Sequence, residues 1–398
     1  MDFRVTRSAL AVVVALAGCA DDTEGTSANG GSASSGSTTT DSSPPSTAST
    51  GSATTLSGSS TTDPTPGEGS TSGDASSESG VQETDGPMQC EPIPTCEAPL
   101  PNAGPELDWE RTQSSVLTAS GSERHRGYDM FYNPDEWQWV MAKFAYGPTD
   151  WDLAGEQVDL FLLEGCEGEF EPLGSVFTTD DGDHPTIHGV VDSGGWVYFE
   201  LPEPLPLGRH RIHMVVRGDG SRADTIIEVV EPGTPMFLSD IDGTLTTFEF
   251  ERFIDLLLDT VPDINAGATD AFQLLVDLGY RPMYLTARPE FLAKRTDEFL
   301  VEHGLPPGIV RTTQSATGAL GDDAVAYKSG QLAALADRGL VPAFAFGNTD
   351  SDSEAYESAG IELDRRFFVQ FDDPLGGRRI EDYTELLSEF GLLESVCE

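Results

Sequence analysis

The rhythm of apolar positions changes near residue 235. Before it, apolar residues come in short runs at 137–144, 158–163, 195–200, 210–216 and 226–230, rich in β-branched and aromatic side chains. Gly, Pro, Asp and Asn separate them, and runs of that length between turn formers predict strands. Residues 211–216 partly alternate, as a half-buried strand should, before a turn at Gly218-Asp219-Gly220. No long helical period interrupts the runs, so residues 90–234 are predicted to form a β-sandwich of Ig-like type.

After residue 235, strand and helix patterns alternate. Apolar runs at 235–239, 282–285 and 343–346 lead into Asp240, Thr286 and Gly347-Asn348, and a fourth run begins at Phe367. Helical periods cover 266–278, 290–303 and 324–338, each followed by a glycine (Gly279, Gly304, Gly339), the usual C-terminal stop. Buried strands alternating with helices predict an α/β domain over 235–398, a Rossmann-like parallel sheet covered on both faces. Ligands of such sheets sit outside the carboxyl ends of the strands. Three of the runs deliver polar residues at that edge.

The first residues follow neither pattern. Arg4 and Arg7 precede an apolar stretch over 9–17, too short to span a bilayer, which ends in Leu16-Ala17-Gly18-Cys19. That ending resembles a bacterial lipobox. The resemblance implies a signal peptide over 1–18, a lipid on the Cys19 thiol, and a membrane-anchored, extracytoplasmic lipoprotein. Residues 20–89 are dominated by Ser, Thr, Gly, Pro and acidic residues without one Lys or Arg, so 19–89 is predicted to be a disordered tether.

Charge narrows the partners. Asp and Glu number 68 against 22 Lys and Arg, a formal net charge of −46, which excludes the basic face that nucleic-acid binding requires. Cysteines agree with an oxidising compartment: apart from Cys19 there are Cys90, Cys96, Cys166 and Cys397. Cys90 with Cys96 and Cys166 with Cys397 is one pairing the spacing allows; other pairings and free thiols are also allowed.

The candidate chemistry lies at the strand ends. Asp240 and Asp242, two apart on an extended chain, face the same side. Two close carboxylates repel unless they share a proton or a cation, which predicts a hard divalent ion, Mg²⁺ by preference. Gly243 and Thr244 let the chain bend so that backbone N–H groups can face an anion. The run from Asp240 to Thr246, Thr286 in Tyr284-Leu285-Thr286-Ala287-Arg288, Lys328, and Gly347-Asn348-Thr349-Asp350-Ser351-Asp352 resemble, in order, the four motifs of the haloacid dehalogenase superfamily. Leu285-Thr286-Ala287-Arg288 and Ala345-Phe346-Gly347-Asn348, with Asp352 and Tyr356, narrow the resemblance to the catalytic domain of lipins, over about 236–377. Lipins are Mg²⁺-dependent phosphatidate phosphatases with an accompanying Ig-like sandwich, and a related domain occurs in phosphatidylinositol transfer proteins.

The resemblance implies roles for these residues. Asp240 would be the nucleophile and Asp242 the general acid and base. Thr286, Lys328, Gly243, Thr244 and Arg288 would surround the phosphate; for Arg288 a salt bridge to a nearby carboxylate is an equal expectation. Mg²⁺ would be held by Asp240, Asp242 and the motif-four turn, through Asn348, Asp350 or Asp352. Thr244 to Thr286 and Thr286 to Lys328 each span 42 positions (286 − 244 and 328 − 286), which leaves no room for a large cap. An open mouth suits a lipid, and Phe248, Phe250 and Phe253 are placed to meet acyl chains. The expectation is therefore a membrane-tethered, Mg²⁺-dependent hydrolase of phosphatidate or a similar lipid phosphate. A phosphatase of soluble periplasmic phosphomonoesters and a non-catalytic phosphatidate-binding module are the alternatives.

Overall fold

A computed structural model describes residues 90–119, 121–247, 261–373 and 375–397. The signal peptide, Cys19, the tether, and Phe248, Phe250 and Phe253 lie outside the described residues.

Residues 112–229 supply helix α1 (Thr112–Thr118) and strands β1 (Arg126–Gly127), β2 (Met130–Tyr132), β3 (Trp139–Lys143), β4 (Ala145–Tyr146), β5 (Trp151–Asp152), β6 (Gln157–Leu163), β7 (Glu171–Phe177), β8 (Trp196–Glu200), β9 (Gly208–Val216) and β10 (Arg222–Val229). They form a five-stranded sheet in the order β2-β10-β9-β6-β7, a three-stranded sheet β1-β3-β8 and the hairpin β4-β5. Strand β6 shows how the pattern builds the core. Val158, Leu160 and Leu162 are buried while Gln157, Asp159 and Phe161 are less so, the period of two that sends alternate side chains to opposite faces. One pair, β2 with β10, is parallel.

The second region contains β11 (Met236–Ser239), α2 (Ala268–Asp277), β12 (Arg281–Leu285), α3 (Ala293–Glu302), β13 (Ile309–Arg311), α4 (Asp322–Ala336), β14 (Phe344–Gly347), α5 (Asp350–Ser358), β15 (Arg366–Val369), β16 (Arg378–Ile380) and α6 (Leu387–Phe390). Its six strands are all parallel, in the order β13-β12-β11-β14-β15-β16. Both faces are covered, and alternation within the strands decides which residue faces which layer. Phe237, Tyr284, Phe346 and Phe367 join the cluster with Phe272 of α2 and Phe390 of α6. Leu238, Met283, Ala345 and Phe368 join the one with Leu332 of α4 and Ala355 of α5. The chain order reverses between β11 and β14, which places a crevice beyond their carboxyl ends.

The two regions share a core and polar contacts. Phe131 and Val230 of the sandwich pack in one cluster with Met236, Met283 and Leu332. Strand β13 is an edge, whose unpaired N–H groups need cover. The Asp129 carboxylate accepts from the Val310 N–H at 3.2 Å and from the Ile226 N–H at 2.8 Å, tying that edge to the sandwich. Arg209 bridges Glu228 at 3.0 Å and the Gly308 carbonyl at 3.1 Å. The Arg311 guanidinium stacks 3.7 Å from the Tyr128 ring centre.

The cysteine pairing differs from the one considered above. Cys90 bonds Cys397 and Cys96 bonds Cys166. Residues 90–97 form a strap without regular secondary structure, and its two cysteines meet different partners. Ile93, inside the range assigned to the sandwich, packs in the α/β core. Cys96 clusters with Leu163 and Cys166 on the sandwich.

The Cys90–Cys397 bond spans 307 positions, and a long closed loop loses more chain entropy when cross-linked in the unfolded state. The double variant Cys90→Ser, Cys397→Ser should lose about 2–4 kcal/mol, read as a lower urea midpoint. An unchanged midpoint would show that the strap is held by packing alone.

Candidate functional site: a charged floor beneath an apolar wall

Strand β11 ends at Ser239, and the Asp240 N–H continues the ladder to the Phe346 carbonyl of β14 at 2.9 Å. Ile241 points into the core, so Asp240 and Asp242 emerge together on the other side. Gly243 follows with φ of 73°, a left-handed turn that glycine adopts without the Cβ clash. Its N–H donates to the Thr246 hydroxyl at 2.9 Å. Thr244 is fully buried, and its hydroxyl donates to Asn348 Oδ1 at 2.9 Å and lies 3.4 Å from Asp240 Oδ2. Both turn residues thus brace the scaffold.

Lys328 is set between two carboxylates. From α4, its Nζ donates to Asp240 Oδ1 at 2.9 Å and to Asp352 Oδ1 at 2.5 Å, with all three side chains nearly sealed from solvent. Asp352 is pinned by α5 itself. Its Oδ2 accepts from the Asn348 and Thr349 N–H groups at 3.1 and 3.2 Å, and Thr349 completes a capping box. A Cβ at Gly347 would lie 2.5 Å from the Asp352 Cβ, so this close approach requires glycine. Burial pushes the Asp240 carboxyl up to about 7; Lys328 opposes the rise, and Asp352 and Asp242 add to it. Burial alone would lower Lys328, but Asp240 and Asp352 hold it above its usual range.

Asp242 has a different partner. Arg288 is fully buried and clamps it, with Nε at 3.1 and 2.8 Å from the two carboxylate oxygens and Nη2 at 2.7 Å from one of them. Thr286 donates to the same carboxylate at 3.2 Å. Arg288 is held in turn by the Thr296 hydroxyl at 3.0 Å. Asp350 lies exposed at the rim with Thr349 and Ser351.

These residues form one end of a cleft of about 710 Å³. Asp240, Asp242, Arg288 and Lys328 make the floor; Ala287, Pro289, Phe291, Ala319, Leu320 and Ala324 make an apolar wall. The sandwich braces that wall. Arg126 pairs with Glu290 at 3.0 Å, beside Phe291, and Gln314 exchanges hydrogen bonds with the Val191 backbone at 3.3 and 3.4 Å. The wall segment 316–321 and Phe291 carry no charge and no motif, so neither was visible as site in the sequence.

Few oxygen donors on the floor are free for a divalent ion. Asp242 is committed to Arg288, and Asp352 to Lys328 and backbone N–H groups. Asp240 Oδ2 and Asn348 Oδ1, joined through the Thr244 hydroxyl, and the Asp350 carboxylate at the rim are what remains. Among the described residues no group of three or more His, Cys, Asp or Glu gathers around a metal position. So thin a set suits an ion that completes its shell with phosphate oxygens and water, as Mg²⁺ does.

Comparisons with known proteins bear on the chemistry. Residues 237–370 match the family model of the PITM 1-3 LNS2 domain, and residues 123–229 match that of the PITM 1-3 beta-sandwich domain. The chain is 28% identical over 270 residues to Protein retinal degeneration B of Drosophila melanogaster, covering 67% of this chain and 20% of that protein. It is 30% identical over 261 residues to Membrane-associated phosphatidylinositol transfer protein 2 of Mus musculus, covering 65% and 18%. The chain thus spans about a fifth of the length of these curated relatives. Among solved structures, a superoxide reductase from Ignicoccus hospitalis aligns at 14% identity over 30% of this chain and 91% of its own, with a TM-score of 0.19, too low to carry an argument.

The relatives correct the expectation of an enzyme. They are phosphatidylinositol transfer proteins by name, and the LNS2 match is to their domain, so the phosphatase assignment is withdrawn. The geometry offers a reason in kind. The carboxylate expected to serve as general acid is locked in a bidentate pair with a buried guanidinium.

Two outcomes test the electrostatics. A carboxyl raised on folding contributes stability that is complete below about pH 4 and lost as pH rises through about 7. Asp240→Asn should therefore gain melting temperature over the wild type at pH 8 and converge with it near pH 4; parallel pH profiles would refute the raised value. Arg288→Met leaves Asp242 unpaired and should cost about 3–5 kcal/mol by urea unfolding. Pairing it with Asp242→Leu should recover most of that loss.

Proposed function

We propose that the α/β domain is a recognition module for the phosphate of an anionic phospholipid, and that it binds this head group without hydrolysing it. The observation that carries the reading is the juxtaposition of Lys328 and Arg288 on the cleft floor with the apolar wall of Pro289, Phe291, Ala319 and Leu320. A phosphate would meet the floor, and the glycerol backbone and first acyl carbons would lie along the wall. Relatives named as phosphatidylinositol transfer proteins support a lipid ligand. The sandwich, in this reading, holds the wall in register through Arg126–Glu290 and Val191–Gln314.

A divalent cation belongs to the proposal. With Asp240 ionised, three carboxylates face two cations on the floor, and a phosphate adds negative charge. Mg²⁺ would supply neutralisation, held by Asp240 and Asn348. Lipidation at Cys19 and the 19–89 tether would keep the module at an extracytoplasmic membrane surface, the placement its N-terminal sequence implies.

Flotation of the full chain with phosphatidylcholine vesicles, with and without phosphatidate, tests this. Binding should need phosphatidate, weaken with a chelator, and fall about tenfold in Lys328→Met, with no inorganic phosphate released. Equal binding to vesicles lacking phosphatidate, with circular dichroism showing an intact fold, would overturn the reading.

A further inference from the structure

Beside the cleft lies a second hollow of about 200 Å³, between the residues leading into β1 and the first turn of α3. Phe291 lines both hollows, so one ring separates them. The second is basic in a chain of net charge −46. Arg124 stacks its guanidinium 5.2 Å from the Phe291 ring centre and donates Nε to the Gly147 carbonyl at 2.7 Å. Lys294 is exposed on the first turn of α3. Neither has a carboxylate within ion-pair distance among the described residues, whereas most other cations do, including Arg111, Arg217, Arg338 and Arg378.

Arg126, behind them, adds an independent signal. Its terminal nitrogens are satisfied by Asp150 at 2.8 and 2.6 Å and by Glu290 at 3.0 Å, but its buried Nε has no hydrogen-bond partner. A buried donor left unmade costs about 1–3 kcal/mol, and Arg126 belongs to the lining of the hollow. Of the acids in the lining, Glu298 is paired with Arg295 at 2.6 Å, and Glu123, exposed beside Arg124, offsets one of these two cations.

We propose that this groove is a second anion subsite, which takes an additional phosphate of the same head group when the lipid carries more than one, as a polyphosphorylated inositol lipid does. The inference rests on the reading that the cleft takes a lipid phosphate, and it adds a preference among such lipids. Arg124 and Lys294 contact the added phosphate directly, and Phe291 spaces the two sites.

The test uses the full chain, the double variant Arg124→Gln, Lys294→Gln, and the exposed single variant Lys294→Gln as a fold-neutral check. Three probes are compared: phosphatidate vesicles, vesicles of equal charge carrying phosphatidylinositol bisphosphate, and soluble inositol trisphosphate. The double variant should lose about tenfold on the bisphosphate lipid and on inositol trisphosphate, the single variant part of that, and phosphatidate binding should stay within about twofold. An equal loss on both kinds of vesicle would mean diffuse attraction and overturn the subsite, as would no loss on either. If the wild type ignores phosphatidate, the head-group reading fails instead. The groove is then judged on inositol trisphosphate alone, where matching wild-type and variant affinities, or no binding, overturn it.

Discussion

One buried ammonium group organises the α/β domain. Lys328 reaches from α4 to the end of β11 and to the first turn of α5, bonding Asp240 and Asp352 at once. Removing it would leave two carboxylates facing each other in a sealed space, where an uncompensated buried charge is costly. The pair Arg288–Asp242 repeats the arrangement one residue pair along. Together they explain how five acidic and basic side chains occupy the switch point of a parallel sheet whose walls are Phe, Leu and Ala.

The same contacts limit what the site can do. Residues that would perform phosphoryl transfer are also those that would cradle a phosphate, and the difference lies in which oxygens are free. Here Asp242 is enclosed by a guanidinium that is itself anchored on Thr296, and burial pushes the Asp240 carboxyl up to about 7 against the pull of Lys328. A floor so compensated suits retention of a head group more than turnover. Relatives named as phosphatidylinositol transfer proteins are what the chain is similar to over this domain.

The sandwich gains a purpose from its neighbours. Asp129 and Arg209 cover the edge of β13, an edge that would otherwise offer unpaired backbone. Arg126 and Val191 reach the two segments that form the apolar wall of the cleft. Arg126 also underlies the basic groove. A cleft wall made of loop needs such support, because loops carry few buried contacts of their own.

Sequence by itself determined the order of strands and helices that builds both layers: the apolar runs that become β6 and β11, the glycine stops after α2, α3 and α4, and Asp240 and Thr286 at the ends of successive strands. Those are local rules of backbone and burial, readable without neighbours. Tertiary structure alone decided the rest. Whether Arg288 meets a phosphate or Asp242, whether Cys90 finds Cys96 or Cys397, and whether Ala316 to Leu320 is a surface loop or a cleft wall depend on contacts between residues far apart in the chain. Asp352 shows the divide: its capping-box spacing with Thr349 is written locally, while its bond to Lys328 exists only because α4 packs beside α5. Pairings of that kind follow from how the elements are stacked, and no period in the letters encodes them.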